Sequence, residues 1–349
     1  MRPASRPVIR VTTAVDGGTR ENDIDVGRLR SVLTAFCERS GRAGTIRWIV
    51  SESPLPLRDG LAATRVRLPQ SDEWPTALAY LLARFPEAEV RLRELFTAGE
   101  VVDAAGRPLT ATTPYLPGAS IFLYRDPPPE VDVPFGIEIL HRDDDIVVVD
   151  KPHFLSTMPR GRHVMQTALV RLRRDLDLPE LSPAHRLDRM TAGVLLFTAR
   201  AAVRRAYHEL FANRSVEKVY EAVAPIDPGL SFPRTVRTRL VKQRGVLRAE
   251  TVTGEPNTET AIDLLAERGR LGLYELVPRT GRTHQLRAHM NTLGIPIIGD
   301  NYFPQIRELA DGDFTAPLQL LARSLEFTDP TSGVIRRFQS GRRLQAWPG

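Results

Sequence analysis

Residues 184–197 read Ala-His-Arg-Leu-Asp-Arg-Met-Thr-Ala-Gly-Val-Leu-Leu-Phe. One carboxylate, Asp188, stands between Arg186 and Arg189, and Gly193 and an apolar run follow. Val194 to Thr198 reads as a buried strand, which puts Asp188 on a loop at a sheet edge, where a rigid scaffold presents reactive groups. Neighbouring guanidinium groups favour the ionised carboxylate and keep it usable as a nucleophile. Read alone, an aspartate flanked by arginines is an ordinary ion pair.

On either side the pattern is rich in strands. Ile137 to Leu140 and Ile146 to Val149 flank Asp143-Asp144-Asp145 and predict a hairpin ending at Asp150-Lys151-Pro152. Gln166 to Leu176 predicts an amphipathic helix with Leu169, Leu172 and Leu176 inward and Arg171, Arg173 and Arg174 mostly outward. Ala201 to Phe211 reads as a helix and Lys218 to Ala224 as a strand. Glu259 to Glu267 and Leu271 to Val277 form a hairpin through Gly269 and Gly272, and a helix from Thr283 to Leu293 ends at Gly294 and Pro296. Strands outnumber helices and often follow one another. Residues 136–349 therefore read as an α+β domain with a mixed, largely antiparallel β-sheet flanked by helices and loops.

Three prolines in Arg125-Asp-Pro-Pro-Pro-Glu mark 126–135 as a linker. Residues 61–125 predict a small α/β domain: helices over Trp74 to Phe85 and Val90 to Thr97, then a β arrangement around Gly99, Gly106 and Gly118. Residues 1–60 form an N-terminal extension without recognisable chemistry. Val26 to Phe36 there suggests a helix, and Thr45 to Val50 a strand.

Composition narrows the function classes. The 349 residues are 42% hydrophobic and 26% charged, values of a globular protein of about two or three domains. The longest apolar runs fall far short of the ~18–20 residues that span a bilayer. No apolar run follows Met1, so the cytoplasm is the expected compartment. Cys37 is the only cysteine, which excludes an intrachain disulfide and a cysteine zinc site. Lys+Arg number 48 against 42 Asp+Glu, a net +6 compatible with a polyanionic partner. Only Lys151, Lys218 and Lys242 are lysines, so much of the arginine excess reflects a bias over the whole chain. Phosphate loops, dinucleotide fingerprints, HExxH and GxSxG are absent from the sequence. His284 and His289 lie about 140° apart on a helix, which disfavours a shared metal.

Two further segments carry chemistry. Arg279-Thr-Gly-Arg-Thr-His284-Gln-Leu-Arg287-Ala-His289 opens the last helix, on which Leu286, Met290 and Leu293 form an apolar stripe. Arg287 lies about 100° from Leu286, at the boundary of stripe and solvent. From there it reaches a partly buried carboxylate or, read alone, snorkels along the stripe. Lys218-Val-Tyr220 starts a strand on which Lys218, Tyr220 and Ala222 share a face.

Together the three segments resemble the RluA-type RNA pseudouridine synthases, whose signatures are HRLD-x-x-TSG, KxY and GRTHQLRxH in that order. Asp145 to Pro152, Leu293 to Asp300 and Leu321 to Phe338 add to the likeness, which covers about 136–340. The resemblance implies that Asp188 is the nucleophile, Tyr220 the active-site aromatic and Arg287 the arginine that pairs with the aspartate. Arg186 matches the arginine that enters the RNA where the target base leaves. Arg189, Lys151, Arg160, Arg162, Lys218, Arg282 and His284 are expected to join it in holding RNA; residues 151–205 carry 11 Lys/Arg against 4 Asp/Glu. Residues 61–125 resemble a degenerate alpha-L RNA-binding module, with a plain helical packing domain as the alternative. Two positions depart from the family: Ala192 replaces Ser, and Phe154 stands where KPxGL has Gly.

Isomerising uridine in ribosomal or transfer RNA breaks one carbon–nitrogen bond and makes one carbon–carbon bond to the same sugar. Nothing enters or leaves, so no cofactor or metal is required and one ionised carboxylate suffices. Asp188 attacks covalently or assists a glycal-type intermediate, and the sequence does not separate the two. The expected enzyme is a monomer that flips out its target base. The alternatives are an RNA-binding protein on the same fold that no longer catalyses and an RNA N-glycosylase.

Overall fold

The computed structural model describes residues 8–15, 18–25, 53–243 and 245–348. The helix and strand expected at Val26 to Phe36 and Thr45 to Val50, and Cys37, lie outside them. The chain divides into two units, Met1–Glu52 and Ser53–Gly349. In the first, β1 (Val8–Val15) and β2 (Gly18–Asp25) pair antiparallel. Residues 53–60, read from sequence as part of the extension, belong to the second unit. Arg58 ties them there, its guanidinium 4.0 Å over the Tyr124 ring and 3.4 Å from Glu100.

The second unit begins with β3 (Thr64–Arg67), α1 (Ala77–Arg84), α2 (Glu89–Thr97), β4 (Val102–Asp103) and β5 (Ser120–Leu123). The strands form one three-stranded sheet, order β3-β5-β4. Thr76 caps α1 by accepting the Ala79 N–H at 3.1 Å, which accounts for the start of that helix. Leu78, Leu81, Leu92, Leu95 and Phe96 from the helices pack on Ile121 and Leu123. The four-residue strand β3 escaped the sequence reading because one turn of alternation is too short to register.

An 11-stranded sheet organises the remainder. Its strands are β6 (Glu138–Arg142), β7 (Ile146–Lys151), β8 (Ser182–Pro183), β9 (Ala192–Thr198), β10 (Val216–Pro225), β11 (Arg234–Val241), β12 (Glu250–Val252), β13 (Thr258–Arg268), β14 (Leu271–Pro278), β15 (Leu320–Thr328) and β16 (Ile335–Gln339). The order is β12-β11-β13-β14-β10-β15-β9-β7-β6, with β16 on β15 and β8 on β9. Among the described residues every pair is antiparallel except β15 with β9, which run parallel through Leu321 opposite Ala192 and Ala322 opposite Gly193. Helices α3 (Ala168–Leu176), α4 (Ala201–Ala212) and α5 (Gln285–Thr292) complete the α+β fold. None of the described helices is long and apolar enough to cross a membrane.

Strand β7 is buried at every position and β9 likewise, the mark of central strands covered on both faces. At the seam Gly193 has φ +110°, and a Cβ there would stand 2.2 Å from the Ala322 carbonyl oxygen, so only glycine fits. The proline-rich segment has no regular structure yet is firmly held. Glu130 accepts the N–H groups of Val164, Met165 and Gln166, and Arg171 donates to the carbonyls of Val133 and Phe135.

Candidate active site

The loop between β8 and β9 is fixed residue by residue. The His185 ring stacks on Phe211 at 4.6 Å, and its Nε2 accepts the Leu196 N–H at 3.1 Å. Burial pushes this imidazole down to about 3, so it is neutral, as an acceptor must be. Thr157 donates its hydroxyl to the Leu187 carbonyl and accepts the Leu187 N–H at 2.8 and 3.1 Å. Behind the loop, Lys151 Nζ donates to the carbonyls of Pro152, Leu155 and Arg189. The Thr191 N–H closes the turn on the Asp188 carbonyl at 3.1 Å. Every strut is a backbone or buried contact, which leaves the Asp188 carboxylate itself free to face outward.

That carboxylate meets the C-terminal half of the chain. Arg287 Nη1 lies 3.5 Å and His284 Nε2 3.9 Å from Asp188 Oδ2. His284 caps α5 in a left-handed conformation, φ 58°, and its Nδ1 accepts the Ala249 N–H at 3.2 Å. A neutral imidazole accepting at Nδ1 carries its proton on Nε2, the nitrogen aimed at Asp188. Gln285, also buried, receives the Thr280 hydroxyl and the Arg282 N–H on Oε1 and gives its amide to Glu259 and Thr260. The 280–284 loop is thereby anchored to β13.

Two cavities flank Asp188. The smaller, about 140 Å³, is lined by Arg186, Lys218, Tyr220, Gly281 and Arg282 among others. Tyr220 enters it from β10 just after a register shift against β15, and burial and the Asp188 charge push its phenol up. Lys218, half-buried, has its ammonium pushed down by desolvation. The wider groove, about 780 Å³, carries Arg160, Arg162, Arg186 and Arg189 together with Lys242, Arg307 and Tyr302. Arg186 is exposed and lines both.

Across residues 145–292 the chain matches the model of the RNA pseudouridylate synthase family. Over 205 residues it is 31% identical to an RNA pseudouridine synthase of Synechocystis, 58% of this chain and 70% of that one. Over 213 residues it is 30% identical to the dual-specificity RNA pseudouridine synthase RluA of Vibrio vulnificus, 57% of this chain and 80% of that one. The chain belongs to the RNA pseudouridylate synthase family. Mouse pseudouridylate synthase RPUSD2 is 38% identical over 180 residues, a match that spans 51% of this chain and only 32% of the mouse protein's length.

Within this pseudouridylate synthase fold Asp188, Tyr220, Arg287, Lys218, Arg186, Arg282 and His284 line the small cavity together. Two expectations need correction. Lys151 is not an RNA-facing cation: it is wholly buried, its three donors are taken by carbonyls, and desolvation pushes it down to about 7. It ends a strand that packs on both faces and inherits that burial. Arg287 is not at a solvent boundary either. Its side chain is 2% exposed because residues beyond α5 fold over it. There it gives Asp300 two bonds, Nε to Oδ2 at 2.7 Å and Nη2 to Oδ1 at 2.6 Å. The sequence reading gave no site role to Asp300, Tyr302, Lys242 or Arg307. For Asp300 a signal existed: an acid that closes the run Ile295-Pro-Ile-Ile-Gly is carried into the core and needs a cation there.

Proposed function

We propose that this protein isomerises uridine to pseudouridine in structured RNA, with Asp188 as the nucleophile. One observation carries the reading: a carboxylate still partly exposed, its side chain at 21%, stands between a buried guanidinium and a tyrosine-lined cavity. Drug-sized ligands occupy roughly 300–1,000 Å³, so a cavity of about 140 Å³ suits a single planar base with its sugar at the mouth. The wide groove beside it then takes the RNA strand.

The chemistry follows from those positions. The base leaves the stack, which costs a few kcal/mol, and enters beside Tyr220, whose ring covers the uracil face. Arg186, exposed where the cavities meet, fills the vacated place. Asp188, with the Arg287 guanidinium 3.5 Å away, attacks the sugar carbon or assists a glycal. The nitrogen–carbon bond breaks, the uracil turns, and its carbon 5 bonds the same sugar carbon. The carbon 5 proton departs and nitrogen 1 gains one, so the balance is zero. Arg160, Arg162, Arg189 and Lys242 along the groove hold phosphates. One chain supplies Asp188, Tyr220 and Arg287, which supports a monomeric enzyme. Residues 61–125 add RNA-binding surface on the strength of their alpha-L likeness.

One assay tests this. Ribosomal and transfer RNAs are treated with the wild type and with Asp188→Ala, and pseudouridine is mapped by carbodiimide-dependent primer-extension stops. New stops with the wild type alone are expected. Free uracil instead indicates a glycosylase. Binding without either product indicates an inactive homologue.

A further inference from the structure

Arg287 is shared by two carboxylates, and the sharing is unequal. Its Nε and Nη2 edge is filled by Asp300 at 2.7 and 2.6 Å, and Nη2 also reaches Asn301 Oδ1 at 3.0 Å. The Tyr302 ring covers the guanidinium at 4.7 Å. Only Nη1 is left for Asp188, at 3.5 Å. Asp300 is itself locked, since Oδ1 accepts the N–H groups of Tyr302 and Phe303 at 2.7 and 3.0 Å and its side chain is 1% exposed. Two residues earlier, Ile298 donates its N–H to the Val223 carbonyl of β10, the strand that carries Tyr220.

From this we infer that Asp300 is a positioning residue: by occupying the fork of Arg287 it keeps that guanidinium from closing bidentately on Asp188. Guanidinium and carboxylate are shaped for a two-point clasp, and a buried arginine without another acid takes it. A clasped Asp188 has both oxygens engaged and a poor approach to a sugar carbon. With Asp300 in place, Asp188 feels the positive charge through one nitrogen and keeps Oδ1 open. The carboxylate thus keeps a cation beside it without being clasped by it. Asp300 touches neither substrate nor the reacting atoms. The inference rests on the isomerase reading above.

The test is Asp300→Asn in steady-state pseudouridine formation on an RNA the wild type modifies. The amide keeps the size and the acceptor for Tyr302 and Phe303 and removes the charge. Turnover is expected to fall about 10- to 100-fold, the cost of a misplaced reacting group, while KM for RNA stays within about twofold. The double variant D300N/N301D returns a carboxylate to Nη2 and is expected to recover most of the lost kcat; it also carries the test should Asp300→Asn fold poorly. A kcat within about twofold of the wild type, or a loss in which KM rises in parallel and N301D gives no rescue, overturns the inference. Wild-type protein that yields no pseudouridine overturns the isomerase reading and this role with it. An active wild type with an unimpaired D300N overturns this role alone.

Discussion

Nη1 of Arg287 stands 3.5 Å from Oδ2 of Asp188, longer than the 2.7–2.9 Å of a tight charge-assisted bond. The gap fits the role proposed for Asp188, a carboxylate that leaves its partner during reaction. Asp188→Asn keeps the shape and removes the proposed nucleophile, so pseudouridine formation is expected to drop by about 10³-fold or more. RNA affinity measured by filter binding should change less than about threefold. Turnover near the wild-type level in that variant contradicts the assignment.

Tyr220 contributes a ring and a hydroxyl. Tyr220→Phe preserves the ring against the base and is expected to slow turnover about 10- to 100-fold if the hydroxyl moves a proton. A single-turnover rate equal to the wild type would confine this side chain to stacking.

Phe154 sits at φ 67°, in the left-handed region that favours glycine. It is nonetheless 3% exposed, 5.3 Å from the Phe314 ring and 6.2 Å from that of Phe135. Left-handed strain costs about 1–2 kcal/mol, and loss of a buried phenylalanine about 3–5 kcal/mol. Packing wins, so Phe154→Gly is expected to destabilise by roughly 2–3 kcal/mol in urea titrations despite relieving the backbone. A stabilised variant would show that strain dominates.

Three histidines make the fold sensitive to acid. Burial pushes His153 and His289 down to about 4 and His185 to about 3, below the ordinary 6.5. The unfolded chain takes up protons at these sites below about pH 6.5, whereas the folded protein stays neutral until near 4. Their contribution is therefore complete above pH 6.5 and is lost as pH falls through the folded values. Each site adds up to about 1.4 kcal/mol per pH unit between those limits. Thermal melts should show Tm declining steadily from pH 6.5 to 4.5, with protons bound on unfolding. A flat Tm over that range contradicts the burial of these rings. Asp329, where burial pushes up but the bonds from Thr331, Tyr207 and Ser332 together outweigh it and hold the carboxyl down at about 2, takes effect only at still lower pH.

Much of this was legible in the chain. Strands β6, β7, β9, β10, β13 and β14 follow apolar runs and turn residues closely, and Asp188, Tyr220 and Arg287 stand out by motif, whereas the arginine-rich β11 and the short β8 and β12 gave no such pattern. Depth was not legible. A helical wheel places Arg287 from its neighbours on α5, but its burial comes from Asp300 and Tyr302, which approach across the fold. Lys151 misled for the converse reason: charge suggests exposure, while the run Ile146-Val-Val-Val-Asp that carries it belongs to a strand covered on both faces. Lys242 and Arg307 enter the groove from loops whose direction no local pattern encodes.

The parallel seam between β9 and β15 has a consequence for how the protein is made. Ala192 and Gly193, which follow directly from the Asp188 turn, pair in parallel with Leu321 and Ala322, while Gly193 also stands opposite Lys151 of β7. Contacts so distant along the polypeptide form late, after the intervening loop has been closed. A polypeptide grown only as far as Arg287 therefore carries Asp188 and Tyr220 as well, yet lacks β15, the strand that joins β10 to β9 and so brings their neighbourhoods together.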